Sequence, residues 1–143
     1  MADKQTQGQD VIKALDDIFK KAPKLPPSWR DVLVKIAPVL SLVFGILGII
    51  AGIGALGLSP VALFGGAKSS MIVLVSGVAA IASSVLLLMA YPHLKVKKYK
   101  GWELLFWSEV VGVISSVLAL SVGSVISVLI GFYLLFQIKS YYK

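Results

Sequence analysis

VLVKIAPVLSLVFGILGIIAGIGALGL, residues Val32–Leu58, is the stretch on which the fold turns. Its one charge, Lys35, lies near the start, and everything after it is apolar or small. An α-helix needs about 20 apolar residues to cross ~30 Å of hydrocarbon. Within lipid a helix satisfies its backbone polar groups inside one segment, which a lone strand cannot do. Residues 32–58 therefore read as a transmembrane helix. Further runs of the same kind cover 70–91, 102–120 and 124–138. The apolar sequence from Trp102 to Ile138 is too long for a single crossing. Ser121-Val122-Gly123-Ser124 is the only turn chemistry inside it, so it reads as two short helices joined by a tight turn.

Composition agrees. The 143 residues are 57% hydrophobic and 15% charged, against about 25% charged in ordinary soluble domains. A water-soluble fold could not cover that much apolar surface, so lipid is part of the solvent. The expected fold class is all-α: an integral membrane four-helix bundle with an N-terminal amphipathic helix at the interface. Residues 1–27 form an arm, and residues 28–143 form the four-span domain.

Charge sets the expected orientation. Of 14 lysines and arginines, only Lys68 falls in a connection that would face the far side. The arm and first-helix entry hold Lys4, Lys13, Lys20, Lys21, Lys24, Arg30 and Lys35. The middle connection holds Lys95, Lys97, Lys98 and Lys100, and the tail holds Lys139 and Lys143. Cytoplasmic loops are enriched in Lys and Arg. The expectation is thus a multi-pass protein of the inner (cytoplasmic) membrane with both termini cytoplasmic. Each basic residue near an anionic leaflet is worth about 1 kcal/mol. Lys20, Lys21, Lys95, Lys97, Lys98 and Lys100 are the candidates for contact with headgroups or a partner. The formal charge of +7 follows the apolar spans, so nucleic acid is not an expected partner.

Residues 1–9 are polar and expected to be mobile. Over 10–22, Val11, Ile12, Leu15, Ile18, Phe19 and Ala22 recur at helical spacing, with Lys13, Asp16, Asp17, Lys20 and Lys21 between them. That pattern predicts a helix lying on the leaflet, with packing on the protein's own cytoplasmic end or on a partner as the alternative. Pro23, Pro26 and Pro27 form a stiff link. Pro38 either kinks one long helix or opens the span proper. Ser59-Pro60 is the expected start of a helical turn in the outer interface. Pro92 is the expected end of the second span, Trp29 and Arg30 suit the headgroup level, and Tyr141 and Tyr142 are expected in an aromatic belt.

Small residues recur four apart in every span: Gly48 and Gly52, Ser76, Ala80 and Ser84, Gly112 and Ser116, Ser127 and Gly131. This spacing lets helix backbones approach closely. It serves packing within the bundle, or else a homo-oligomer or a membrane-protein partner. Glu109 lies seven residues beyond Trp102. An ionisable residue at such depth is a functional hypothesis by default. Lys35, Gln137 and Tyr133 are its candidate neighbours, and a structural tie from Glu109 to Lys35 or Gln137 is the plainer expectation.

Chemistry of other kinds is missing. The chain has no cysteine, hence no thiol nucleophile, disulfide or thiolate metal site. His93 stands alone, and a metal site needs several ligands. Gly65-Gly66-Ala67-Lys68-Ser69 departs from a phosphate-binding loop because Ala67 separates Lys from Gly. The first 31 residues contain no apolar core of a cleavable signal, so the first span is expected to target itself. No enzyme, metal or cofactor is expected.

The four-span arrangement resembles the many small integral proteins of bacterial cytoplasmic membranes. It is also similar in size to the small multidrug exporters, which carry a membrane carboxylate in their first helix; here Glu109 is in the third. The leading expectation is a non-enzymatic scaffold or accessory subunit. A small transporter or channel subunit using Glu109 stands second, and a membrane-shaping or holin-like protein third.

Overall fold

A computed structural model describes residues 2–119 and 122–143. Every regular element among them is helical: α1 (Ala2–Phe19), α2 (Pro27–Ala62), α3 (Ala67–Lys95), α4 (Tyr99–Ala119) and α5 (Val122–Ile138). Short 3-10 turns follow at Leu63–Gly65 and Lys139–Tyr141. Four of the helices are long and apolar enough to cross a membrane. At 1.5 Å per residue the 36-residue α2 is about 54 Å long, more than the ~40–45 Å of a whole bilayer. Large apolar side chains stand exposed along all four, including Ile50, Met71, Val117 and Leu129, as a lipid-facing surface requires.

The prolines correct several expected boundaries. Pro38 and Pro60 both lie inside α2, and Pro92 lies inside α3. Proline removes one i→i−4 hydrogen bond, and a nearby hydroxyl can re-satisfy the freed carbonyl. At Pro60 that carbonyl belongs to Leu56, and Ser59 Oγ donates to it at 2.8 Å. Ser59 therefore bridges a gap within a helix and does not cap a new one. Pro92 falls in the last turn of α3, where little helix remains to be broken.

α1 begins at Ala2, so residues expected to be mobile are helical. Lys4, Gln5, Gln7 and Gln9 are good helix formers, and Gly8 lets the backbone rest on the Trp107 ring. The apolar positions of α1 split between two directions. Ile12 is buried, with Leu15 and Phe19 packed on the same core, whereas Val11 and Ile18 are exposed. Of the expected Ser121–Ser124 turn, Val122, Gly123 and Ser124 belong to α5, and Ser121 lies outside the described residues.

α2 packs along α3 through its glycines. A Cβ on Gly48 would fall on the Ser84 hydroxyl, and one on Gly52 would stand 2.9 Å from the Gly77 carbonyl. The buried core gathers toward the lysine-rich end. Trp102 stacks on Phe106 with ring centroids 5.7 Å apart and meets Phe136 edge-on at 5.5 Å. Trp102 is fully buried, its indole N–H donating to the Leu135 carbonyl at 2.8 Å. Tyr142 is buried too. Tyr142 is therefore not a belt residue, since its ring packs within the core at the lysine-rich end. Trp29, at 64% exposure, is free to serve as one.

Candidate functional site: a basic end and an intramembrane groove

The tail, the α3–α4 connection and the arm converge on one end of the molecule. Tyr99 N–H donates to the Lys143 carbonyl at 2.9 Å, and Lys143 N–H donates to the Lys97 carbonyl at 3.1 Å. Asp16 of α1 pairs with Lys139 at 3.3 Å and with Lys20 at 3.2 Å. The Asp16 side chain, hydrogen-bonded to Lys20, holds that ammonium above the ordinary lysine range. Lys68, in the first turn of α3, lies at the other end of that helix from Lys95. The charge segregation read from sequence thus corresponds to a physical clustering.

Gln137 and Tyr133 do something that sequence reasoning missed. Gln137 Oε1 accepts from Leu25 N–H at 3.1 Å, while its Nε2 donates to the Pro23 carbonyl at 3.3 Å. Tyr133 Oη donates to the same carbonyl. Proline has no N–H to donate, so the backbone of the Pro23–Pro27 link cannot pair all of its groups within itself. The first turn of α2 satisfies the Pro26 carbonyl, and the amide and phenol of α5 satisfy the Pro23 carbonyl and the Leu25 N–H. Phe19 then stacks on Phe136 at 5.2 Å, and α1 is held against the basic end. Four basic side chains, Lys20, Lys24, Arg30 and Lys139, border the resulting cavity of about 420 Å³. One carboxylate, Asp16, is among them.

Glu109 is placed elsewhere. It sits in α4 against Gly131 of α5, where a Cβ would overlap its carboxyl group. The four residues expected to form one polar site are not brought together: Lys35 is exposed on α2, and Gln137 and Tyr133 hold the link. Among the described residues Glu109 has no hydrogen-bond or ion-pair partner. The Lys35–Glu109 and Glu109–Gln137 ties are therefore not formed, since α5 presents Gly131 and not Gln137 at the depth of the carboxyl.

The small residues of α4 and α5 do not close into a seam as those of α2 and α3 do. A Cβ on Gly112 would meet open space. Gly112, Ser116, Ser124 and Ser127 line, with Glu109, a cavity of about 520 Å³. Ser116 Oγ donates to the Gly112 carbonyl at 3.0 Å, which leaves its oxygen lone pairs available. The arrangement is a polar groove with one carboxyl group, between two of the four helices that are long and apolar enough to cross a membrane. Among the described residues no cluster of His, Cys, Asp or Glu could hold a metal ion.

The chain is all-helical among its described residues, with four helices long and apolar enough to cross a membrane. The chain matches no family model, no curated protein and no solved structure.

Proposed function

We propose that this is a non-enzymatic scaffold or accessory subunit of the inner membrane. It crosses four times as a helix bundle with both termini cytoplasmic, and its basic end contacts anionic headgroups. The observation that carries this reading is the convergence of arm, middle connection and tail on one end, with Lys68 remote from it. A single-sided excess of Lys and Arg is the signature of a cytoplasmic face. α1 contributes as an interfacial element through Val11 and Ile18, which stay exposed while Ile12 and Phe19 anchor it. Polymer-bounded discs cut from vesicles of phosphatidylcholine and phosphatidylglycerol test the lipid contact. The discs should be enriched in phosphatidylglycerol, less so at high salt and after Lys95, Lys97, Lys98 and Lys100→Gln. Discs of bulk composition would overturn it.

A second reading, a small transporter or channel subunit, rests on Glu109, which has no polar partner among the described residues, in its hydroxyl-lined groove. Charged groups in hydrocarbon are retained where they line ion or substrate paths. Under this reading, vesicles carrying the protein leak protons or alkali cations, and Glu109→Gln abolishes the leak. Under the first reading, loaded and empty vesicles are equally tight.

A further inference from the structure

Two cavities are lined by neighbouring residues of both α2 and α5. The first is the basic cavity already described, entered at Arg30 on α2 and at Gln137 and Lys139 on α5. The second is an apolar groove of about 250 Å³ that begins one turn deeper on α2, lined by Leu33, Ala37, Leu40 and Phe44 of α2 with Leu134 and Ile138 of α5, and walled as well by Leu87 of α3 and Leu105 of α4. Residues 30, 33, 37, 40 and 44 repeat at alternating three- and four-residue steps, so they share one face of α2. A polar chamber and an apolar slot thus occupy successive turns of α2, the slot running away from its amino end.

The polar chamber has an electrostatic surplus that the chain does not itself neutralise. Asp16 is already engaged by Lys20 and Lys139. Among the described residues Lys24 and Arg30 form no ion pair, and Arg30 Nε is buried without an acceptor. Among the described residues the guanidinium meets the Tyr141 ring, 5.9 Å from its centre, in place of a carboxylate. A buried charged donor without an acceptor is costly. An anion with several acceptor oxygens supplies what is missing, and the amino end of α2 adds its dipole in the same sense. Below it, Leu33 to Phe44 covers about 16 Å of helix, close to the ~15 Å of one hydrocarbon leaflet.

We infer that the α2–α5 seam is a binding site for one anionic phospholipid, its phosphate on Lys24 and Arg30 and one acyl chain along Leu33–Phe44. This rests on the orientation and lipid contact proposed above, but it concerns a single retained molecule and not the general enrichment around the basic end. The occupant must be a lipid and not a soluble phosphate, because half of the site is an apolar slot open to the bilayer.

The experiment is native mass spectrometry of the full chain released by mild detergent from vesicles of phosphatidylcholine and phosphatidylglycerol. The wild type should retain one phosphatidylglycerol. Lys24→Gln with Arg30→Gln should lower the retained fraction about tenfold. Ala37→Phe, which fills the slot and leaves every charge in place, should lower it comparably. Glycerol phosphate in solution should not displace the lipid. Replacing Lys95, Lys97, Lys98 and Lys100 by Gln should leave the single lipid bound even as disc enrichment falls, so the two readings fail independently. Undiminished retention in the Lys24→Gln, Arg30→Gln protein would overturn the assignment. So would displacement by glycerol phosphate together with its equal binding to Ala37→Phe, which would make the occupant a soluble anion. Lys24→Gln alone, at an exposed link position, keeps the test available should Ala37→Phe not fold; retention equal to wild type there again counts against the lipid.

Discussion

Tyr142 shows how one side chain can carry a cost that its neighbours do not offset. The residue is buried, and no acceptor lies within reach of its hydroxyl among the described residues. Removing an unsatisfied buried polar atom while keeping the shape is neutral to favourable, by about 1 kcal/mol. Tyr142→Phe should therefore raise the stability of the detergent-solubilised protein, read from thermal unfolding. Burial also pushes the phenol up to about 12. Its folded form keeps the proton where an unfolded chain, titrating near ~10, has lost it. The contribution to stability is complete below the lower value and is lost as pH rises through the window between them. Wild type should lose stability faster than Tyr142→Phe across that alkaline range, and equal slopes would remove the argument. Glu109 makes the complementary point about legibility. Its depth could be counted from Trp102, but its lack of a partner could not, because that depends on which α5 residue shares its level.

At the scale of elements, the α3–α4 connection is the most exacting. Lys97 adopts φ 52°, the left-handed conformation that usually calls for glycine. Lys98 N–H reaches back to the His93 carbonyl at 3.0 Å, and Lys97 N–H to Leu94 at 3.1 Å, closing a Schellman-type end to α3. The chain then brings Gly101 so near that a Cβ would lie 2.8 Å from the Leu94 nitrogen and 2.9 Å from the His93 carbonyl carbon. Backbone cannot step aside as a side-chain tip can. Gly101→Ala should cost about 2 kcal/mol by overpacking, whereas Lys97→Gly should gain up to about 1 kcal/mol by relieving the left-handed strain. Both are read as midpoint shifts in the same thermal assay. Sequence alone marked this segment as a basic loop and placed its start at Pro92. Proline rules drawn from water-soluble helices overstate the stop, since the final turn has few i→i−4 bonds left to lose. The four apolar cores were legible for the opposite reason: the length of hydrocarbon to be crossed leaves a helix no alternative. What linked them was not legible. Gln137 holding the Pro23 and Leu25 backbone joins residues more than a hundred positions apart, and no local pattern encodes that pairing.

At the scale of the molecule, the two helix pairs differ in a way that small-residue spacing could not distinguish. Gly48 and Gly52 close α2 onto α3, whereas Gly112, Ser116 and Ser127 border open space between α4 and α5. Identical spacing yields a seam in one pair and a groove in the other, because Ser84 and Gly77 face the first set and Glu109 occupies the gap in the second. The basic end joins the halves: Trp102 ties α4 to α5, the tail ties to the α3–α4 connection, and Gln137 ties the arm to α5. Any orientation must therefore carry all three basic segments across together or not at all. Lys68→Cys and Lys98→Cys place single thiols at the two ends of a chain that has no other. In intact cells a membrane-impermeant maleimide should modify Lys68→Cys directly and Lys98→Cys only after permeabilisation. Labelling of both without permeabilisation would break the link between the clustered cations and a single membrane face. The reverse pattern would keep the cluster intact but turn it outward, removing the anionic inner leaflet as the reason for its charge.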